Sequence, residues 1–168
     1  YFSDYNTFLY IIIISTIFIF FINVYHSKSP SILSLLKPYL SFLLREYEYK
    51  SLWGATYMLI GFTFITLIFE KNIVIISMLI TSIADSCAAI IGIKYGNIRL
   101  NNGKSLEGFY GFLMCAYLIL FLLLEMINFY FLILIALIIS FVELFTPTKY
   151  DNVAIPISSS LLLYLFHI

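Results

Sequence analysis

The chain has 168 residues, of which 62% are hydrophobic and 11% are charged, whereas an ordinary soluble domain has about 45–50% and about 25%. This composition excludes an ordinary soluble protein, and the 19% of aromatic residues excludes a disordered one. Nine basic and nine acidic residues give a formal net charge of zero, so the basic excess that nucleic-acid binding requires is absent and no nucleic-acid partner is expected.

These features predict one integral membrane domain over residues 1–168. Because the chain begins with Tyr1 and no signal-peptide pattern precedes the first apolar stretch, we expect a native N-terminal segment upstream. A membrane-spanning helix needs about 20 largely apolar residues. Five stretches qualify, in chain order 7–24, 51–69, 73–93, 108–124 and 129–146.

Two other apolar stretches are shorter. Residues 31–44 follow Pro30 and contain Lys37 and Pro38, which favours an interfacial or re-entrant helix that does not cross the membrane. Residues 153–168 contain Pro156, which removes a helical N–H group, so this stretch is a partial or broken span. The predicted fold class is therefore all-α: a polytopic membrane helical bundle with five to six spans plus one interfacial or re-entrant helix.

The distribution of basic residues predicts the orientation of this bundle in the membrane, because the Lys and Arg residues of short loops are concentrated on the cytoplasmic side. If residues 31–44 do not cross, only Lys71 lies on one side of the membrane. The other side receives Lys28, Lys37, Arg45, Lys50, Lys94, Arg99, Lys104 and Lys149. The long polar connections lie on this basic side, so we predict a multi-pass protein whose active site faces the cytoplasm.

Asp85 is the leading candidate for a functional residue, because an ionisable group within a span usually faces a protein interior or a water-filled cavity. At the helical period, Asp85 shares a face with Ala88, Ala89, Gly92 and Gly96. Two interpretations are open. The small residues could form a helix-packing seam with Asp85 hydrogen-bonded to a neighbour, or Asp85 could lie at the floor of a cytoplasmic cavity and bind a cation or a proton.

The connection that follows contains Gly103, Lys104 and Ser105, but it lacks the first glycine and the preceding strand of a phosphate-binding P-loop. Ser105 is nevertheless a suitable N-cap, and the free N–H groups of a helix start attract phosphate, to which Lys104 would add a positive charge. Glu107 complements the helix dipole. Beside phosphates, it would instead require a divalent cation such as Mg²⁺.

Three further groups of polar residues are candidates for the site. Glu143 lies about one helical turn inside the cytoplasmic end of its span. Asp151 and Asn152 follow and can cap the next helix, which alone could explain Asp151. Arg45 and Glu48 precede the second span, where anchoring at the membrane interface is the simpler interpretation.

The order and spacing of these motifs resemble the membrane family of CTP-dependent lipid kinases, which includes dolichol kinase, phytol kinase and the CTP-dependent diacylglycerol kinases. The motifs cover about two thirds of the chain. They are Leu44-Arg45-x-x-Glu48, Gly54-Ala55-x-Tyr57 with Gly61, Asp85-x-x-Ala88-Ala89-x-x-Gly92-x-x-x-Gly96, Lys104-Ser105-Leu106-Glu107-Gly108, and Glu143 with Asp151-Asn152-x-x-x-Pro156. Members usually carry an early Arg-Lys…His segment. Nothing in this sequence matches it, so it either lies upstream of Tyr1 or is missing from this protein. The related phosphatidate cytidylyltransferases are the group most easily confused with these kinases on the same motifs.

The resemblance implies transfer of the γ-phosphoryl group of CTP, with Mg²⁺ as cofactor, to the hydroxyl of a membrane lipid alcohol such as a polyprenol or dolichol, a phytol-like alcohol or diacylglycerol. The implied catalytic residues are Asp85, Lys104 and Asp151. The implied metal ligands are Asp85, Glu107, Glu143 and Asp151. The implied nucleotide and phosphate contacts are Gly92, Gly96, Lys104, Ser105, Gly108 and Asn152, with Arg45 and Glu48 as additional candidates.

Two other classes of protein stay open. A small ion-coupled transporter would use Asp85 and Glu143 as a relay for protons or cations. Against it, the sequence shows no inverted repeat and its polar groups are concentrated on one side. A purely structural membrane subunit would leave the concentration of polar groups on one side unexplained. The sequence carries no indication of an oligomeric state.

Overall fold

The computed structural model describes residues 5–28, 53–100, 102–124 and 127–166. The α-helices in these ranges are α1 Tyr5–Lys28, α2 Gly54–Ile68, α3 Lys71–Leu79, α4 Asp85–Tyr95, α5 Leu106–Leu123, α6 Phe129–Phe145 and α7 Asp151–Leu165. The described residues form no strand, and their β pairing is one isolated bridge between Arg99 and Ser105. The prediction of an all-α protein is confirmed for these ranges.

The helices are those of a membrane protein. Three continuous helical stretches are long and apolar enough to cross a membrane, Tyr5–Tyr25, Lys71–Tyr95 and Leu106–Leu123. Helices α2 and α6 are also apolar but shorter, at 15 and 17 residues. Every predicted span coincides with a helix, and the number of crossings stays a prediction. The predicted interfacial helix at 31–44, with Arg45 and Glu48, lies outside the described residues.

Side-chain hydrogen bonds show which helix ends are neighbours. Asn23 Nδ2 donates to Thr56 Oγ1 at 3.0 Å, which joins the last part of α1 to the first turn of α2. At the opposite end, the Tyr5 hydroxyl donates to the carbonyl oxygens of Thr66 and Phe69 at 2.8 and 3.0 Å. Helices α1 and α2 are therefore antiparallel.

The centre of the bundle is built from apolar side chains of the helices after α2. Those with no exposed surface include Ile80, Phe112, Leu120, Ile135, Ile139, Ile155 and Leu163. Small polar residues also join buried helix faces: Ser160 Oγ bonds Ser77 Oγ at 2.8 Å and so links α7 to α3. Small hydroxyl residues of this kind allow close helix packing inside membranes.

The long helix of residues 71–95 contains one irregular turn. Residues Ile80–Ala84 form a π-helical turn that connects α3 to α4 and ends directly before Asp85. A π turn holds an extra residue, so it rotates the helix face that follows relative to the face that precedes, and such turns are frequent at functional sites. The predicted face keeps its periodicity from Asp85 to Gly92, which lie within the regular helix α4, but Gly96 follows the end of that helix in an extended conformation.

Helices α2 and α7 approach closely at Gly61. A Cβ atom added there would lie 3.0 Å from the backbone oxygen of Asn152 and 3.1 Å from Cγ of Pro156. We therefore expect Gly61→Val to separate these helices and to lower the free energy of unfolding by about 1–3 kcal/mol, measured by denaturation in detergent micelles. Ala55→Val, at an exposed position of the same helix, should change it by less than about 0.5 kcal/mol. Equal effects of the two substitutions would contradict this packing.

Candidate functional site

A cavity of about 220 Å³ lies at the end of the bundle where α4 and α6 finish and α5 and α7 begin. Its lining residues are Asp85, Ala88, Ala89, Gly92, Ile93, Arg99, Gly103, Lys104, Ser105, Gly108, Glu143, Thr148 and Asp151. Seven residues that the sequence nominated are among them: Asp85, Gly92, Lys104, Ser105, Gly108, Glu143 and Asp151. The fold thus brings together groups that are up to 66 positions apart in the chain, Asp85 and Asp151 being the outermost of these nominated residues.

Lys104 joins two acidic residues in this cavity. Its Nζ lies 2.8 Å from Glu143 Oε1 and 3.3 Å from Asp151 Oδ2, and it donates to the backbone oxygen of Glu143 at 2.5 Å. The three side chains are 8%, 6% and 7% exposed. Charges buried to this degree have lost most of their hydration and depend on one another for compensation. Lys104 therefore connects its loop to both α6 and α7.

Asn102 and Gly103 fix the conformation of the loop that carries Lys104. Asn102 Nδ2 donates to the carbonyl oxygen of Leu144 at 2.6 Å, and its Oδ1 accepts from the Lys104 backbone N–H at 3.1 Å. Gly103 has a φ of +85°, a left-handed conformation that glycine adopts without steric cost. These contacts fix the direction in which the Lys104 side chain leaves the backbone.

Ser105 is the N-cap of α5, as its sequence position predicts. Its Oγ accepts from the Gly108 backbone N–H at 3.1 Å, so the hydroxyl keeps a proton that it can donate into the cavity. A Cβ on Gly92 or Gly96 would lie 2.9 Å from this Oγ, and one on Gly108 would lie 2.9 Å from the backbone oxygen of Ala88. The glycines therefore allow α4 and α5 to pack closely. Gly92 also forms part of the cavity wall, whereas Gly96 lies beside Ser105 and outside the lining.

Asp85 is the first residue of α4 and lines the cavity in a half-buried position. Three acidic and two basic side chains line the cavity, which leaves it a formal charge of −1. This net negative charge favours an added cation, and the carboxylates of the lining are those of Asp85, Glu143 and Asp151. This environment fits the second interpretation of Asp85, a carboxylate at a polar cavity.

The acidic residues do not form a complete metal cage. Within the described ranges, no three His, Cys, Asp or Glu side chains converge as a metal site would require. Mg²⁺ seldom uses such a cage, since it usually keeps waters and binds one or two carboxylates together with substrate phosphates. An ion bound in that way would not need the three-residue cage that the described ranges lack.

Glu107, a predicted metal ligand, lies outside the cavity lining. Its carboxylate accepts from the backbone N–H groups of Asn97 and Ile98, with its Oε1 at 3.0 and 3.3 Å from the two nitrogens. These bonds hold the loop after α4 against the first turn of α5. In this position Glu107 supports the loop that carries Lys104.

We expect Glu107→Gln to weaken these loop contacts, because the neutral amide is a poorer acceptor than the carboxylate. Hydrogen exchange at the amides of Asn97 and Ile98 should become faster, whereas binding of Mn²⁺, used as a paramagnetic substitute for Mg²⁺, should stay unchanged. Weaker Mn²⁺ binding with normal hydrogen exchange would instead support the predicted metal role.

Asn152 also lies outside the lining. Its backbone N–H donates to Asp151 Oδ1 at 2.8 Å, and its Nδ2 donates to the carbonyl oxygen of Gly54 at 3.2 Å. Asn152 thus orients the neighbouring carboxylate and ties the start of α7 to the start of α2. Arg45 and Glu48 stay predictions, since they lie outside the described residues.

Arg99 and Thr148 line the cavity although the sequence did not nominate them. Arg99 reaches the site because its backbone forms an antiparallel bridge with Ser105. The Asn-Asn-Gly sequence at 101–103 is a turn signal that could have indicated this pairing. No comparable signal marks Thr148.

Comparison with known proteins gives one informative similarity. The chain is 38% identical over 114 residues to an uncharacterized protein of Rickettsia prowazekii (strain Madrid E), an alignment covering 64% of this chain and 55% of the relative. The chain therefore spans about half the length of that protein. No protein-family model matches the chain, and no solved structure is significantly similar to it.

Proposed function

We propose that this protein is a membrane lipid kinase that transfers the γ-phosphoryl group of CTP to the hydroxyl of a membrane lipid alcohol. The observation that carries the proposal is the shared cavity, in which carboxylates, cations and a capping hydroxyl from four parts of the chain meet. Enzymatic phosphoryl transfer depends mainly on positioning the reactants and neutralising phosphate charge. These are the groups that such a reaction requires.

The position of the cavity supports a substrate that stays in the membrane. Its lining includes Ile93, which is 80% exposed on the apolar helix α4, next to the polar loop that carries Lys104. An alcohol whose tail lies in the bilayer can therefore present its hydroxyl at this boundary. We propose a multi-pass bundle of five to six spans with this end in the cytoplasm, because the described basic residues except Lys71 lie here.

Each group has a proposed task. Asp85 would be the principal ligand of Mg²⁺, which would supply positive charge to the phosphate oxygens. The Ser105 hydroxyl donates to the phosphates. The N–H groups of Leu106 and Gly108 are not available, because they donate to the Ile98 carbonyl oxygen and to Ser105 Oγ. Asp151 accepts the proton of the alcohol or contributes to a second metal, and Glu143 supports it through their shared partner Lys104.

The choice of CTP as donor, and of a polyprenol, a phytol-like alcohol or diacylglycerol as acceptor, follows from the resemblance of the motifs. A screen therefore has to cover these acceptors and compare CTP with ATP. The full-length protein, reconstituted in lipid nanodiscs with Mg²⁺, should move label from γ-labelled CTP into an extractable lipid. Absence of labelled lipid with every alcohol and both nucleotides would contradict the proposal.

Labelling at a different phosphate separates the alternatives. A kinase transfers only the γ-phosphoryl group, so CTP labelled at the α-phosphate should leave the lipid unlabelled. A phosphatidate cytidylyltransferase would give the opposite pattern, because it attaches the cytidine monophosphate unit and releases pyrophosphate. A transporter would leave the lipid unlabelled with CTP labelled at either phosphate. It would instead carry ions into sealed vesicles.

A further inference from the structure

The ammonium group of Lys104 has no donor left for a phosphate. An ammonium has three N–H donors, and Lys104 Nζ has three protein oxygen partners within 3.3 Å. To bind a phosphate, Lys104 would have to release Glu143 or Asp151, and either carboxylate would then remain buried without its counter-charge. Such a loss is strongly unfavourable. The position of Lys104 therefore fits a structural connection between its loop, α6 and α7.

Arg99 is the other cation in the cavity lining. Its backbone is held by the bridge to Ser105, and the next N–H group, that of Leu100, donates to the Lys104 carbonyl oxygen at 2.7 Å. The residue is exposed, and neither ion pair in the described part of the chain involves it. It interacts electrostatically with Glu107, whose carboxylate is already bonded to backbone N–H groups.

A guanidinium group suits a phosphate chain better than an ammonium does. It presents five N–H donors in a planar fork, can bond two phosphate oxygens at once, and keeps its charge at any physiological pH. Across the bridge, Ser105 offers its hydroxyl to the same cavity. We infer that Arg99 is the cationic contact of the polyphosphate and that the Ser105 hydroxyl is a second donor to it. Lys104 is then a positioning residue that holds its loop against α6 and α7. This assignment rests on the proposed function, since it takes the ligand to be a phosphate chain.

The test uses inorganic tripolyphosphate with Mg²⁺, a probe that lacks both the base and the lipid. Calorimetry on the nanodisc-embedded full-length protein should show binding that Arg99→Gln weakens about 10- to 100-fold, the effect of losing a charge-assisted hydrogen bond. Arg99→Lys should recover only part of the affinity, because it restores the charge without the fork. The melting temperature should stay unchanged, because Arg99 is exposed.

Lys94→Gln is the matched control, since Lys94 is an exposed cation in the last turn of α4, five residues before Arg99 and outside the cavity lining. It should change the affinity for tripolyphosphate by less than about twofold. Equal affinities of Arg99→Gln and Lys94→Gln, or no binding to the unmodified protein, would overturn the assignment of Arg99. Binding that depends on Arg99 in a protein that labels no lipid would support the assignment and contradict the kinase proposal, so the two failures are distinguishable.

Discussion

Lys104→Met is expected to lower the free energy of unfolding by about 3–5 kcal/mol, because it leaves two buried carboxylates without their shared counter-charge. The exposed fractions of 6% for Glu143 and 7% for Asp151 allow little hydration to replace the ammonium. The backbone oxygen of Glu143 would lose a donor as well. Denaturation in mixed detergent micelles, followed by tryptophan fluorescence from the single Trp, measures the change.

Two further variants show whether the loss comes from uncompensated charge. The triple variant Lys104→Met, Glu143→Gln, Asp151→Asn removes all three buried charges, so it should recover most of the lost stability. Lys149→Met, a neighbouring cation outside the cavity lining, should have an effect below about 0.5 kcal/mol. If the triple variant were less stable than the single variant, the stabilising part of this cluster would not be its ion pairs.

Asp85→Asn is expected to abolish phosphoryl transfer, with a fall of at least about 10²- to 10³-fold, the usual cost of losing one electrostatic contact to a transition state. Asparagine has nearly the same shape and keeps one acceptor oxygen, but it lacks the charge that a Mg²⁺ ligand supplies. Asp85 is half-buried at the cavity wall and the substitution leaves no void there, so the protein should still insert and fold. Initial rates with labelled CTP, beside melting temperatures, measure both effects.

The matched control for Asp85 is Glu70→Gln. Glu70 precedes α3 at the opposite end of the bundle and is exposed, so neutralising it should leave the rate unchanged. Full activity of Asp85→Asn would remove Asp85 from the mechanism. A rate loss of similar size in both variants would show that the assay responds to the overall charge of the protein and not to the cavity.

Local patterns in the sequence were sufficient for the helices and for part of the site. Apolar length located each helix, and a capping residue placed Ser105 at the start of α5, where its Oγ does accept from Gly108. The face of Asp85 and Gly92 follows from the α-helical period alone. Such features depend on neighbours in the chain, so the sequence contains the information needed to predict them.

Features that depend on contacts between distant segments were not predictable in this way. The pairing of Lys104 with Glu143 spans 39 positions, and nothing in the local pattern distinguishes a buried partner from a phosphate ligand. Arg99 reaches the cavity through a bridge across its loop, and Glu107 turns its carboxylate toward Asn97. The π turn before Asp85 leaves no signal in the periodicity of the apolar residues.

The proposed function requires the cavity between α4, α5, α6 and α7 to hold the phosphates of a nucleotide. An experimental structure of the full-length protein with Mg²⁺ and a non-hydrolysable CTP analogue tests it most directly. We expect the phosphate chain to lie within hydrogen-bonding distance of Arg99 and Ser105, with the metal bound by Asp85. A nucleotide bound elsewhere, or a phosphate chain that contacts none of these three residues, would contradict the account.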